Sequence, residues 1–155
     1  MNTDPGNGFV AIPVGEKEYL WLERGLRRLG FFSRLDLKAL AGILPYMSLV
    51  EYAKGRPVCR EGDEGDGFYL IYDGGVEVRK AGWDKPVAKL GPGEFFGEMA
   101  LLFGQPRTAT VCALKTTKLF WLQTSDFKKV LRKHASVAKT IRRVAEERRK
   151  ELAQH

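Results

Sequence analysis

At 155 residues the chain is long enough for one packed domain and too short for two of ordinary size. Apolar residues make up 44% and charged residues 29%, which excludes disorder throughout; the longest apolar runs, Phe68 to Tyr72 and Met99 to Phe103, fall far short of the roughly 20 residues that span a bilayer. Two cysteines exclude a disulfide framework, and a net charge of +7 suits a phosphate ligand, a nucleic acid or an acidic lipid surface.

Residues 1–15 open with a polar stretch rich in Asn, Asp and Gly, and no basic region feeds an apolar run. A flexible segment without a secretory signal is expected there, in a cytoplasmic protein without membrane insertion. Residues 16–46 read as N-terminal helices. Tyr19, Leu22, Leu26 and Leu29 recur at a spacing of three and four across Glu16 to Leu29, and a second helix runs from Asp36, as N-cap, to Leu44, with Leu37, Leu40, Ala41 and Leu44 buried and Pro45 ending it.

From 47 to 123 the texture changes to short β-branched and aromatic runs broken by glycine, the pattern of a β-roll or jelly roll. Strands are predicted at Leu49–Tyr52, Pro57–Arg60, Phe68–Tyr72, Val76–Arg79, Val87–Leu90, Thr108–Ala113 and Lys118–Leu122, with a tight hairpin turn at Asp73-Gly74-Gly75. Residues 124–155 are helical again. Ser125 caps a short helix burying Phe127, Val130 and Leu131, and Ser136 caps a longer one with Val137, Ile141, Val144, Ala145, Arg148 and Leu152 on one face.

The chemistry concentrates in residues 95–110. A short helix from Glu98 to Phe103 follows Gly97 and ends at Gly104, so free backbone N–H groups at its start attract an anion. Arg107, where the next strand begins, adds a forked donor that matches two phosphate oxygens. A carboxylate at Glu98 would oppose a bare phosphate but accepts hydrogen bonds from neutral hydroxyls such as those of a ribose. Phosphate and sugar together point to a nucleotide.

Phe96-Gly97-Glu98-Met99-Ala100-Leu101-Leu102, followed by Pro106-Arg107-Thr108-Ala109-Thr110-Val111, resembles the phosphate-binding cassette of the cyclic nucleotide-binding domain family. Gly62-Asp63-Glu64-Gly65-Asp66-Gly67-Phe68-Tyr69-Leu70-Ile71 and Gly75-Val76-Glu77-Val78 resemble the family's hairpin region. Leu90 to Leu101 and Glu146 to Arg149 are most similar to the cytosolic gating domain of bacterial cyclic nucleotide-regulated potassium channels. The resemblance implies a mainly β fold with flanking helices (α+β): an eight-stranded β-roll, or jelly roll, with N-terminal helices and C-terminal hinge and lid helices. It implies a sensor that binds cAMP or cGMP, needs no cofactor beyond that ligand, and moves its last helix for an unidentified effector protein. Arg107 and Thr108 would hold the cyclic phosphate with the N–H groups of Gly97 and Ala100, and Glu98 the ribose; Phe96, Met99 and Ala109 fall in the same cassette. Val78, Ala88 and Leu90 would wall the purine, and the last helix would close over it through Ile141, Val144, Ala145 or Arg148.

Enzyme readings lack residues. The histidines are His134 and His155, both outside the predicted strands, and there is no Gly-x-x-x-x-Gly-Lys-Ser/Thr loop, so neither a metal site nor catalysis is expected. The competing class uses the C-terminal helices, where Lys128 to Lys150 holds ten basic residues against Glu146 and Glu147: a nucleic-acid or membrane-surface module, or a ligand-free protein-interaction module of the same fold. The 33 residues after Leu122 leave no room for a further helix-turn-helix, so DNA is not the expected partner, while pairing of two copies through the helices stays open.

Overall fold

The computed structural model describes residues 3–4 and 8–153, without the side chains of residues 3–4, 31, 99, 137, 148, 149 and 151–153. Strands β1 (Thr3–Asp4) and β2 (Phe9–Ile12) precede helix α1 (Glu16–Leu26), a 3-10 turn at Gly30–Arg34, α2 (Leu37–Ile43) and a second 3-10 turn at Leu44–Tyr46. Eight strands then follow: β3 (Ser48–Tyr52), β4 (Pro57–Cys59), β5 (Gly67–Asp73), β6 (Val76–Arg79), β7 (Ala88–Leu90), β8 (Phe95–Phe96), β9 (Thr110–Ala113) and β10 (Thr117–Gln123). The short α3 (Glu98–Phe103) interrupts them, and α4 (Thr124–Lys133) and α5 (Ala135–Ala153) close the chain.

The strands form two antiparallel sheets, ordered β1-β2-β3-β10-β5-β8 and β4-β9-β6-β7. One core lies between them, around Val50, Tyr69, Ile71, Val76, Val111 and Leu119. A second lies where the helices pack on the larger sheet, around Leu22, Phe32, Ile43, Phe68, Phe120, Phe127 and Val144. Burial against a sheet explains the helical faces better than local propensity, because an amphipathic face gains most of its stability from packing.

Several expectations shift. The segment expected to be loose up to residue 15 contains β2, which pairs with β3 through Phe9↔Tyr52 to Ile12↔Leu49, because Phe9 has Tyr52 and Trp121 to pack on at 5.8 and 5.6 Å. Residues 1, 2 and 5–7 lie outside the described ones. Asp73-Gly74-Gly75 does not close a hairpin: β5 and β6 belong to different sheets, and the turn carries the chain across, pinned by Thr117, whose Oγ1 accepts from Gly75 N at 3.1 Å and donates to Gly75 O at 2.9 Å. β8 was missed because its two residues sit inside the cassette. Asp36 does cap α2, accepting from Ala39 N at 2.8 Å, but Ala39 is buried, whereas Ala41 is exposed and Leu37 is 65% exposed. α4 starts at Thr124, not after Ser125: the carbonyls of the β4–β5 loop do the capping, Asp66 O accepting from Thr124 N at 3.2 Å and Gly65 O from Thr124 Oγ1 at 3.2 Å. α5 likewise begins at Ala135, with Ser136 inside its first turn.

Candidate functional site

Gly97 turns the chain from β8 into α3. Its φ of 90° is in the left-handed region, and no side chain caps the helix there. A Cβ on Gly97 would lie 2.5 Å from Arg107 Nη1 and 2.5 Å from Gly67 O, so only glycine lets this backbone approach the guanidinium. Gly65 has the same function on the other side, since a Cβ on it would overlap Ala100 of α3.

Arg107 is buried, 7% exposed, and the β4–β5 loop holds it from both ends. Its N–H donates to Asp63 O at 2.8 Å and its carbonyl accepts from Gly62 N at 2.8 Å. Its Nη2 donates to Asp66 Oδ1 at 2.7 Å and to Gly67 O at 2.6 Å, and its Cζ sits 5.7 Å from the Tyr69 ring centre. Tyr69 OH in turn donates to Asp66 Oδ2 at 3.1 Å; its burial pushes the phenol far above the usual range, so it stays protonated and donating. Phe96 stacks on the Tyr69 ring, 5.0 Å away at 14°. One donor is left over: Arg107 Nε is buried without an acceptor among the described residues.

Glu98 is also buried, 6% exposed. Its carboxylate lies against the backbone of Gly30, at the start of the first 3-10 turn, where an added Cβ would be 2.8 Å from Oε2. Glu98 and Arg107 nonetheless line one cavity of about 290 Å³, together with Phe95, Phe96, Gly97, Ala100, Thr108, Ala109, Val78, Cys59, Gln105, Pro106 and Val111. That volume is at the small end of small-molecule sites. Burial pushes the Cys59 thiol up, and its Sγ donates weakly to Ala109 O at 3.9 Å, so it acts as a small apolar wall rather than a thiolate.

The cassette residues of the sequence reading thus come together, with Val78 beside them. Ala88 and Leu90 do not line the cavity: Ala88 pairs with Val78 one strand away, and Leu90 packs into the core between the sheets. Ile141 and Val144 of α5 are 3% and 1% exposed in the core beneath the helices and do not stand over the cavity, while Ala145 is half-buried. The side chains of Met99 and Arg148 lie outside the described ones. Asp66 was not singled out by sequence reasoning. Its signal was the acid directly before Gly67 in the Gly62-to-Gly67 loop, but only the fold shows that this loop reaches Arg107, 41 residues away.

A model of the cyclic nucleotide-binding domain matches residues 49–134. The chain is 37% identical over 118 residues to a cyclic nucleotide-gated potassium channel of Mesorhizobium japonicum, covering 76% of this chain and 32% of the channel. It is 40% identical over 110 residues to a cAMP-dependent protein kinase regulatory subunit of Mycosarcoma maydis, covering 70% of this chain and 21% of the subunit. The chain therefore spans about a third or less of these relatives. Among solved structures it is similar to the N-terminal domain of a transcriptional regulator from Streptomyces coelicolor A3(2), with TM-score 0.73 and 33% identity over 84% of this chain and 92% of that one. It is also similar to the regulatory domain of Toxoplasma gondii PKA with cAMP, with TM-score 0.69 and 32% identity over 76% of this chain and 46% of that one. The matched region covers more than half of the chain and encloses every residue that lines the cavity, and the chain belongs to the cyclic nucleotide-binding domain family.

Proposed function

We propose that this chain binds a purine cyclic nucleotide, cAMP or cGMP, in the cavity between Glu98 and Arg107, and acts as a regulatory sensor without catalysis of its own. The observation that carries the reading is the buried Arg107 guanidinium on the cavity wall, with Nε still lacking an acceptor. An anionic oxygen arriving beside it supplies one, and so recovers the free energy that a buried unpaired donor costs. The cyclic phosphate takes Arg107, Thr108 and the N–H groups of Gly97 and Ala100. Glu98 takes the ribose hydroxyl, Phe96 and Ala109 shape the cradle, and Val78 faces the base. Ala88, Leu90 and the last helix, through Ala145 or Arg148, join the base only in a rearranged, closed form. Met99 belongs to the same short helix. The channel and kinase relatives support the choice of ligand class, and no cofactor besides the nucleotide is needed.

The output follows from where Glu98 rests. Its carboxylate touches the 3-10 turn at Gly30, and the same turn meets α5, with Arg34 Nη1 3.4 Å from Glu147 Oε2. A ribose that draws Glu98 into the cavity removes its contact with Gly30, and α5 then shifts over the base. A ligand moves such an equilibrium only by its difference in affinity between the two positions. The receiving partner is an effector protein in the cytoplasm; no described helix is long and apolar enough to cross a membrane.

Thermal unfolding with cAMP, cGMP and AMP tests the reading. Ligand at 100 times its dissociation constant stabilises by about 2.7 kcal/mol, which raises the midpoint by about 5–10 °C for a domain of this size. A shift with a cyclic nucleotide and a smaller one with AMP is expected. Equal shifts with all three, or none with any, would refute it.

A further inference from the structure

The excess positive charge collects at one corner of the molecule. Helices α4 and α5 meet at His134, and Lys128, Lys129, Arg132 and Lys133 on one side and Arg142 and Arg143 on the other are all exposed. At a rise of about 1.5 Å per residue, each stands within about 14 Å of His134 along its helix axis. Among the described residues only Lys129 of these six has an ion pair, to Asp126 at 3.6 Å, and the nearby Glu147 is turned to Arg34. The described apolar side chains Phe127, Val130, Ile141 and Val144 of the two helices are buried in the core.

We infer that this corner is an electrostatic docking surface for an anionic phospholipid bilayer, holding the domain peripherally at the headgroups. Among the described side chains the helices leave no apolar face to insert, so attraction to surface charge, rather than insertion as an amphipathic helix, is the mode of binding. A single-stranded nucleic acid is disfavoured, because Phe127, the single aromatic of the two helices, is buried and offers no ring on which a base stacks. Duplex DNA, which binds through its phosphates alone, is the competing ligand. A bilayer needs no such ring, because its charge is spread over a surface and felt within a Debye length of about 8–10 Å at ordinary salt.

Co-sedimentation of the chain with phosphatidylcholine vesicles, with and without about one third phosphatidylserine, tests the inference. The chain should pellet with the anionic vesicles and not with the neutral ones, and binding should weaken about tenfold or more between about 50 and 300 mM salt. The triple variant Lys128→Glu, Arg132→Glu, Arg142→Glu should lose binding while keeping the parent's thermal midpoint. Should that variant unfold, the neutralising set Lys128→Gln, Arg132→Gln, Arg142→Gln should reduce binding at least threefold. Equal pelleting with neutral vesicles, or unchanged binding in the folded variant, would overturn the inference. So would uptake of duplex DNA at the same salt by a chain that ignores the vesicles. None of these side chains lines the cavity, so the result stands apart from cyclic nucleotide binding.

Discussion

Arg107→Ala is the decisive perturbation of the proposed site. A net charge-assisted hydrogen bond contributes about 1.5–3 kcal/mol. Ordering a free arginine side chain would offset about 1.5–2 kcal/mol of that, but here the ordering is already done. The residue is 7% exposed and its guanidinium is fixed at 2.7 Å to Asp66 and 2.6 Å to Gly67 O, so a phosphate would meet it in place. The expected loss is therefore in the upper half of the range, about 2–3 kcal/mol, or a dissociation constant weaker by about 30- to 150-fold. Arg107→Lys keeps the charge and loses the fork, and should fall between, near about tenfold. Isothermal titration with cAMP measures both, and thermal unfolding without ligand separates binding from folding. Asp66 is 50% exposed on its side chain, so the lost ion pair should cost no more than about 1 kcal/mol of stability. A folded Arg107→Ala chain that binds within threefold of the parent would refute the assignment.

Gly97→Ala puts a side chain into the left-handed region and onto Gly67 O, which cannot move aside as a flexible side chain would. It should destabilise by about 1–3 kcal/mol and weaken cAMP by more than tenfold, and normal binding by titration would contradict the close approach. Thr108→Ala should weaken cGMP more than cAMP, because Thr108 is exposed on the cavity lining, where in the proposed pose its hydroxyl would meet both the phosphate and a guanine amine; equal losses in paired titrations would remove that role. Stability should fall as pH rises above about 9–10, the ordinary range of a thiol and a phenol. Cys59 and Tyr69 both titrate above their ordinary values of 9.0 and 10.0 in the folded chain, so the unfolded chain releases these protons first and gains on the folded one, by up to about 1.4 kcal/mol per pH unit per group. Urea titrations between pH 8 and 11 should show this slope, and Tyr69→Phe should flatten it; an unchanged slope would contradict the buried phenol.

The β-roll was legible from residues 47 to 123 because glycine punctuation and short β-branched runs are local signals. The cassette was legible because Gly97, Glu98 and Arg107 fall within eleven residues of one another. Local signals could not show which way the strands cross. Asp73-Gly74-Gly75 has hairpin chemistry, yet the two sheets part there, and Thr117, 42 residues away, decides it. Side-chain destinations were equally out of reach: Ile141 and Val144 have the same periodicity whether they cover a base or fill the core, and in this fold they fill the core.

By itself the sequence determined most of the element types from residue 16 onward, the helix start at Gly97 and the presence of a guanidinium and a carboxylate in one short segment, because backbone freedom, charge and periodicity are properties of neighbouring residues. Tertiary structure decided that Asp66 and Tyr69 hold Arg107 in place, that Glu98 rests on Gly30, and that Ala88 and Leu90 stay off the cavity wall. Those are contacts between segments tens of residues apart, and they exist only once the two sheets and the helices have closed around their shared cores.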